Sequence, residues 1–247
     1  MGDNNMKHFF CVLIILFSFV LQIQAAEQGE KKIMAANGRN LVILIHGFHK
    51  GAVDMQFWKK HLSMENTDVL TPELPTVFES FERCLEVLSD LIAANEPEKY
   101  SAVYIAGHSM GGLLAREYLQ KYKLPNVKRL VCVGTPHAGS KLADIALMIP
   151  GAGKIWKPLH ALKLSARKKL TTPDIPGLEI GVIVSTNNAH WPGKLFLSPE
   201  SDGLVESSSA HAPDAKAAVY VKAHHVGMQY DKETALLIRK FFIEGSF

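Results

Sequence analysis

YSAVYIAGHSMGGLLAREYLQKY, residues 100–122, decides how the rest of the chain can fold. The apolar run from Ala102 to Ala106 is typical of a strand, and the apolar spacing after residue 112 is typical of an amphipathic helix. Between them lies Gly107-His108-Ser109-Met110-Gly111, a G-x-S-x-G sequence that can form a sharp turn. This pattern predicts an exposed Ser109 hydroxyl at the carboxyl end of a strand. A glycine-rich turn that only packs the helix on the sheet is the alternative.

Strand and helix patterns alternate along the chain on both sides of this segment. Continuous apolar runs indicate strands that are buried on both faces, as in a parallel sheet. The other predicted strands cover residues 41–45, 68–70, 127–133, 178–185 and 217–221, and the other helical patterns cover 55–62, 76–94 and 232–242. The alternation predicts an α/β fold with a mainly parallel, doubly wound sheet and helices on both faces.

The length and composition of the chain fit one globular domain. With 247 residues, 47% hydrophobic and 21% charged, the chain can bury a sizeable core. The net charge is only +3, and the Lys and Arg residues are spread widely. Composition therefore favours no nucleic-acid partner. We expect a single domain over residues 27–247.

The first 26 residues differ from the rest of the chain. Lys7 precedes a mostly apolar run from Phe9 to Ile23, and the small pair Ala25-Ala26 precedes a polar stretch. This is the layout of a signal peptide over residues 1–26, which predicts an exported protein. The apolar run is short for a membrane span, which takes about 20 residues. An uncleaved N-terminal anchor is the alternative.

The spacing of cysteines and histidines indicates no metal site. No part of the chain has the Cys/His spacing of a zinc site, and we predict no metal and no cofactor. Cys84 falls in a helical pattern and Cys132 in a strand pattern. We expect both to be buried as small apolar residues, and a disulfide between them is the alternative.

Residues 141–176 interrupt the alternation of strands and helices. No acidic residue occurs between Asp144 and Asp174, whereas six lysines and arginines are interleaved with apolar residues. One interpretation is a basic amphipathic flap, a lid-like insertion that contacts a membrane or lipid surface. The other is a capping helix whose basic face is solvated.

A serine hydroxyl becomes a good nucleophile only when a histidine removes its proton and a carboxylate orients that histidine. In an α/β sheet both partners of Ser109 should follow it, in the order Asp or Glu and then His. Asp202 lies in an Asp-Gly turn, which can aim a short side chain into a crevice, so we prefer it to Glu206 and Asp214. The doublet His224-His225 follows the last predicted strand, and only one of the two can be the base.

Ester chemistry at Ser109 also requires hydrogen-bond donors for the developing oxyanion. The backbone N–H of Met110 lies at the start of the predicted helix, where amides lack partners within the helix. The N–H of Phe48, in the loop after the first predicted strand, is our second candidate. We expect the side chains of Met110 and Phe48 to line the acyl pocket, and His46 and His108 to form structural hydrogen bonds.

Four motifs and one further segment resemble those of the α/β-hydrolase superfamily, within it the bacterial lipase and esterase group related to triacylglycerol lipases. They are His46-Gly47-Phe48, Gly107 to Gly112, Gly134-Thr135-Pro136-His137-Ala138-Gly139-Ser140 and Ser201-Asp202-Gly203-Leu204-Val205, followed by His225-Val226-Gly227-Met228. The resemblance covers residues 41–242. It implies Ser109 as nucleophile, Asp202 as the orienting carboxylate, His225 as base, and the N–H groups of Phe48 and Met110 as oxyanion donors.

The resemblance also decides between the two adjacent histidines. The form H-x-G-apolar, which starts at His225, matches the catalytic histidine of this group better than His224 does. The larger calcium-dependent lipases have an Asp two residues after this histidine, where this chain has Gly227. No calcium site is therefore predicted.

The function that these motifs imply is a serine carboxylic-ester hydrolase that cleaves lipid or other acyl esters through an acyl-enzyme. An acyltransferase, a thioesterase or an amidase could use the same three residues, because a fold does not fix a function. A non-catalytic binding protein with a hydrolase-like fold is the remaining alternative.

Overall fold

The structure, a computed structural model, describes residues 38–62, 64–189 and 191–247. The predicted signal peptide, residues 1–26, lies outside these ranges. Within them, no helix is long and apolar enough to cross a membrane.

Six parallel strands form the central sheet, which confirms the predicted α/β fold. Each strand pairs in parallel register with its neighbours, in the spatial order β2-β1-β3-β4-β5-β6. The strands are β1 (Asn40–Ile45), β2 (Thr67–Leu70), β3 (Ala102–His108), β4 (Val127–Val133), β5 (Glu179–Ser185) and β6 (Ala217–Val221). Because β1 lies inside the sheet and later strands extend it in both directions, the carboxyl ends of β1, β3 and β4 meet at one edge.

Nine α-helices connect or flank the strands in the described ranges. They are α1 (Gln56–His61), α2 (Phe81–Ala93), α3 (Met110–Tyr122), α4 (Lys141–Leu147), α5 (Ala152–Ile155), α6 (Leu159–Leu162), α7 (Trp191–Phe196), α8 (Ser207–Ala210) and α9 (Lys232–Glu244). Short 3₁₀ helices cover Ala52–Met55, Pro97–Lys99 and Gly227–Gln229.

Helices cover both faces of the sheet, so the hydrophobic core has two layers. Leu41 and Ile43 of β1 point into a layer with α2 and α3, whereas Val42 and Leu44 point into a layer with α1 and α9. Fully burying one such side chain stabilises a fold by about 1.5–3 kcal/mol. The continuous apolar sequence of β1 is therefore the sequence of a strand covered on both faces.

One predicted helix begins later than the sequence pattern suggested. The pattern starts at Thr76, but α2 begins at Phe81, because the Ser80 side chain accepts a hydrogen bond from the Arg83 N–H and caps the helix. Phe78 consequently lies before the helix and is 64% exposed, although the predicted helical range of residues 76–94 included it. Cys84 and Cys132 are both buried and free.

The insertion over residues 141–176 folds as three short helices, α4, α5 and α6, which are tied to α3. The Arg167 guanidinium forms an ion pair with Glu117 of α3 at 3.0 Å, and the Thr171 hydroxyl donates to the same carboxylate at 2.6 Å. At its start, the Ser140 N–H donates to the Leu162 carbonyl at 2.8 Å. These bonds fix the later part of the insertion on α3 and join its middle to the residue that precedes it.

Candidate active site

Ser109 occupies the turn between β3 and α3, as the sequence predicted for this segment. Its backbone has φ 54° and ψ −123°, a conformation that residues with a side chain rarely adopt. The glycines around it allow close packing: a Cβ at Gly111 would lie 2.3 Å from the Ile45 carbonyl oxygen. The turn therefore projects Ser109 at the carboxyl edge of the sheet, with the start of α3 behind it.

Asp202 and His225 form a buried hydrogen-bonded pair. His225 Nδ1 lies 2.6 Å from Asp202 Oδ2, and these residues are 3% and 1% exposed. The other carboxylate oxygen, Oδ1, accepts the N–H groups of Leu204 at 3.0 Å and Val205 at 2.8 Å. The carboxylate thus accepts two backbone N–H groups through one oxygen, and its other oxygen can accept a proton-bearing His225 Nδ1 and orient the ring.

Backbone contacts also join the two loops that supply this pair. The His225 N–H donates to the Asp202 carbonyl at 2.9 Å. Gly134, at the end of β4, packs against both side chains: a Cβ there would lie 3.1 Å from Asp202 Oδ2 and 3.2 Å from His225 Nδ1. Gly134 has φ +56°, which favours glycine as well. The loop after β4 therefore approaches the pair because it carries no side chain at this point.

Two further side chains hold the His225 loop in place. His108 Nε2, at the end of β3, lies 2.9 Å from the His225 carbonyl oxygen and donates to it. Trp58 Nε1, on α1, donates to the Met228 carbonyl at 3.0 Å. The His108 and His225 rings also contact each other, with centroids 4.8 Å apart. The loop is thus anchored at His225 itself and at Met228, three residues later.

The competing residues from the sequence have other partners. The Asp214 carboxylate binds the Arg116 guanidinium through both oxygens, at 2.7 and 2.9 Å. Glu206 accepts the Ser198 N–H at 3.1 Å, and His224 Nδ1 accepts the Gly227 N–H at 3.3 Å. Of these acids, the structure places Asp202 against a histidine, and that histidine is His225.

The two proposed oxyanion donors lie on either side of Ser109. Met110 begins α3 directly after Ser109, and Phe48 follows Gly47, where a Cβ would lie 3.0 Å from the Ser109 Cβ. Neither amide N–H has an acceptor within the described part of the chain. Two amides adjacent to one serine can donate to the same developing oxygen.

The loop that contains Phe48 is fixed by side chains on both sides. His46 Nε2 accepts the Leu74 N–H at 3.1 Å, and its Nδ1 donates to the Gly47 carbonyl at 3.1 Å. The Thr76 hydroxyl donates to the Lys50 carbonyl at 3.1 Å. These bonds hold the Phe48 N–H in a defined position before any substrate binds.

A cavity of about 460 Å³ opens in front of Ser109 and His225, and both residues line it. Its walls are mostly apolar and come largely from the insertion. The lining side chains from that segment include Leu142, Ile145, Ala146, Trp156, Leu159 and Leu162. An apolar cavity beside a nucleophile suits the hydrocarbon part of a substrate.

One expectation about the pocket is wrong. Phe48 lines the cavity as predicted, but the Met110 side chain does not. Met110 is fully buried in the core layer with α2, because the first turn of α3 directs it under the helix. Met110 therefore offers the site its backbone N–H and contributes nothing to the cavity wall.

Three other histidines near the carboxyl edge are kept uncharged by burial. Burial lowers the pKa of His46, and burial together with the neighbouring His225 puts the pKa of His108 well below the usual value. Burial and the Arg116 charge lower the pKa of His137 to about 3. Of these rings, His108 contacts His225 directly, and as a neutral ring it adds no positive charge there.

Several residues of the site gave no sequence signal of their own. Trp58 and Phe196 belong to elements far from Ser109 along the chain, and only the folded topology brings Trp58 to the His225 loop and Phe196 to the cavity. Lys50 also lines the cavity, two residues after Phe48. Among the described residues, no group of three metal-ligating side chains is placed to hold a metal ion.

Comparison with known protein families gives one match over more than half of the chain. A family model described as a PGAP1-like alpha/beta domain matches residues 49–198, which include Ser109 and end before Asp202 and His225. A search of curated protein sequences gives no significant match.

Many solved structures share the fold at low sequence identity. The Bacillus licheniformis lipase BlEst2 in its mature form matches with a TM-score of 0.67 and 16% identity, over 84% of this chain and 92% of that one. The metagenomic carboxyl esterase MGS0156 matches at 0.61 and 16%, over 82% and 74%. The RedJ thioesterase of Streptomyces coelicolor matches at 0.52 and 15%, over 83% and 87%. The chain thus has the α/β-hydrolase fold of the lipase and esterase group.

Proposed function

Since this chain belongs to the family of PGAP1-like alpha/beta domains, we propose that it is a serine carboxylic-ester hydrolase of the lipase or esterase type. The observation that supports this most is the hydrogen-bonded pair of Asp202 and His225. The Asp202 carboxylate is buried, and His225 lines the same cavity as Ser109. A histidine held by a carboxylate and facing a serine is the arrangement that activates a hydroxyl for attack.

In the first half of the proposed reaction, His225 acts as the general base. Its Nε2 removes the proton from the Ser109 hydroxyl as the oxygen attacks the ester carbonyl, while Asp202 stabilises the resulting imidazolium. The N–H groups of Phe48 and Met110 donate to the oxyanion of the tetrahedral intermediate. His225 then gives its proton to the leaving alcohol, and the acyl group remains on Ser109.

In the second half, water replaces the alcohol. His225 removes a proton from the water, which attacks the acyl-enzyme carbonyl, and the same two amides hold the second oxyanion. Proton return from His225 to the Ser109 oxygen releases the acid. We propose that the apolar cavity holds the acyl chain, because its walls offer hydrocarbon contacts next to the nucleophile.

The direct test is hydrolysis of p-nitrophenyl esters of increasing acyl length by the wild-type protein and by Ser109→Ala. We expect turnover by the wild type, and a loss of about 10³-fold or more in kcat/KM in the variant. Ser208→Ala is the control, since Ser208 is an exposed serine that does not line the cavity. Equal turnover by Ser109→Ala and the wild type would overturn the proposal.

A further inference from the structure

Large apolar side chains are exposed around the mouth of the cavity. Ile149 and Phe196 line the cavity and are also 57% and 42% exposed, so they mark its opening. The helices that lead to them, α4 and α7, pack against each other. We call the following set the mouth surface: Met148, Ile149, Ile155, Trp191, Leu195 and Phe196. Exposed apolar residues that adjoin a cavity mark a binding surface more often than single scattered ones do.

The same elements carry exposed positive charges. Lys141 on α4, Lys154 on α5 and Lys194 on α7 are exposed, and none of them forms an ion pair with a described residue. The one acid of α4, Asp144, accepts the Leu164 N–H at 3.2 Å and so faces the insertion itself. The elements that carry the mouth surface therefore also carry lysines that form no ion pair with the described part of the chain.

We propose that the mouth surface binds an anionic phospholipid bilayer, with Trp191 and Leu195 entering the headgroup region. Tryptophan and lysine together favour the boundary between headgroups and acyl chains, where the ring is half-solvated and the ammonium meets lipid phosphates. The apolar surface also continues into the apolar cavity through Ile149 and Phe196. An acyl chain can pass from the bilayer to Ser109 along this path without crossing water.

This inference rests on the proposed function for its purpose, but the binding itself does not require hydrolysis. It is therefore tested with the Ser109→Ala protein, which cannot consume the lipid. Sedimentation with phosphatidylcholine vesicles, with and without phosphatidylglycerol, measures the partition. We expect binding that increases with the phosphatidylglycerol content and decreases with salt, because the lysine contribution is screened.

The decisive comparison uses two matched double variants in that background. Trp191→Ser with Leu195→Ser removes apolar area from the mouth surface, and neither of the substituted residues lines the cavity. Leu236→Ser with Ile243→Ser removes similarly exposed side chains of α9, which packs on the opposite face of the sheet. We expect a loss of about tenfold or more in vesicle partition for the first pair and little change for the second.

The charge contribution has its own matched pair. Lys141→Glu with Lys194→Glu should weaken binding to anionic vesicles and leave the weaker binding to neutral vesicles unchanged. Lys128→Glu with Lys232→Glu reverses two exposed charges on β4 and α9 and is the control for net charge. Equal losses in the two charge pairs would contradict a localised surface.

Three further results would overturn the inference: no partition of the Ser109→Ala protein into either vesicle, equal partition of the two double serine variants, or self-association of the protein that the mouth variant abolishes. Circular dichroism melting of each variant shows that it folds. Hydrolysis of p-nitrophenyl acetate by the Trp191→Ser, Leu195→Ser protein with Ser109 intact reports on the proposed function separately. If the protein binds vesicles but hydrolyses no ester, the proposed function is refuted and the proposed bilayer-binding surface is still supported.

Discussion

Ser109 holds a backbone conformation, φ 54° and ψ −123°, that is unfavourable for any residue with a Cβ. Such conformations cost about 1–3 kcal/mol and persist where the surrounding structure enforces them. At Ser109 the enforcement comes from the close packing of the turn against β1. In this strained conformation, Ser109 lies between the end of β3 and the start of α3 and lines the cavity.

Replacing Ser109 by glycine should therefore stabilise the fold relative to Ser109→Ala. Both variants lack the hydroxyl, so the difference in their free energies of unfolding reports the backbone alone. We expect Ser109→Gly to be more stable by about 1 kcal/mol, which is the relieved strain less the extra entropy of glycine in the unfolded chain. Urea unfolding measures it, and an alanine variant of equal or greater stability would refute the strain.

Asp202→Asn should lose most of the activity and keep the fold. An amide at this position can donate to His225 Nδ1 and so favour the wrong tautomer, and the analogous change in a serine protease lowers kcat about 10⁴-fold. Steady-state kinetics on a soluble ester provides the measurement, with Glu206→Gln as the control in the same loop. Undiminished turnover by Asp202→Asn would remove Asp202 from the proposed mechanism.

At this scale the sequence was most informative where local geometry decides the position. The G-x-S-x-G turn and the Asp202-Gly203 turn are both local features of the sequence. In the structure, Ser109 and His225 line the same cavity, and Asp202 lies behind His225. The side chain of Met110 was misjudged because its direction depends on how α3 packs against α2. No pattern within a few residues of Met110 contains that information.

At the scale of elements, the junction of β3 and α3 depends on the absence of side chains at its glycines. Gly111 lies inside α3, where an alanine would ordinarily stabilise a helix by about 1 kcal/mol. Here the added Cβ would meet the Ile45 carbonyl oxygen at 2.3 Å. We expect Gly111→Ala to destabilise the fold by about 1–3 kcal/mol and to displace Ser109.

Thermal unfolding and ester hydrolysis of Gly111→Ala check this expectation. Lys121→Ala, at an exposed position near the end of the same helix, is the control and should change stability by about 0.5 kcal/mol or less. A stabilised and fully active Gly111→Ala protein would show that there is room for a Cβ between the turn and β1, which contradicts the 2.3 Å distance.

The Arg116–Asp214 pair joins α3 to the loop before β6. The Arg116 side chain is only 1% exposed, so removing its partner leaves a buried charge unpaired. We expect Asp214→Ala to cost about 3–5 kcal/mol in unfolding free energy. The double variant Arg116→Met, Asp214→Ala should recover part of that loss, and a double variant as unstable as the sum of the single variants would contradict this explanation.

Element boundaries followed from the sequence where apolar runs or long periodic patterns exist, as in β1, β4 and α9. The short helix α7 was not predicted, because six residues with a proline and a glycine show no helical period. Its formation depends on packing against α4, a partner about 50 residues earlier in the chain. That packing also builds half of the mouth surface, which therefore could not be predicted from the local sequence.

At the scale of the whole molecule, three buried neutral histidines make the fold sensitive to acid. The folded-state pKa values of His46, His108 and His137 lie below the ordinary value of 6.5, and that of His137 is about 3. Below pH about 6.5 the unfolded chain binds protons that the folded chain excludes. The stability that these three histidines contribute should therefore be constant above that pH and should fall as pH decreases toward 3.

The contribution of His137 can be measured by itself. While only its unfolded form binds a proton, it should cost about 1.4 kcal/mol per pH unit. His137→Phe removes this titration, and neither ring nitrogen has a hydrogen-bond partner among the described residues that the change would remove. We expect the variant to lose less stability than the wild type between pH 6 and pH 4, by urea unfolding. Parallel pH curves for the two proteins would exclude His137 as a source of acid sensitivity.

The global topology was predictable because parallel strands buried on both faces require helices on both sides of the sheet. The strand order then brings the loops after β1, β3 and β4 together, with the His225 loop after β6 reaching the same place. The volume and mouth of the cavity were not predictable, since they depend on how α4, α5, α6 and α7 pack over the carboxyl edge of the sheet. Those contacts are non-local and leave no period in the sequence.

The most direct test of the central proposal is labelling with a fluorophosphonate, followed by intact-mass and peptide mass spectrometry. We expect one adduct per chain, located on Ser109, with loss of ester hydrolysis in proportion to labelling and no adduct on Ser109→Ala. A wild-type protein that is folded and hydrolyses esters but carries no adduct, or carries it at another residue, would contradict the assignment of Ser109 as the nucleophile.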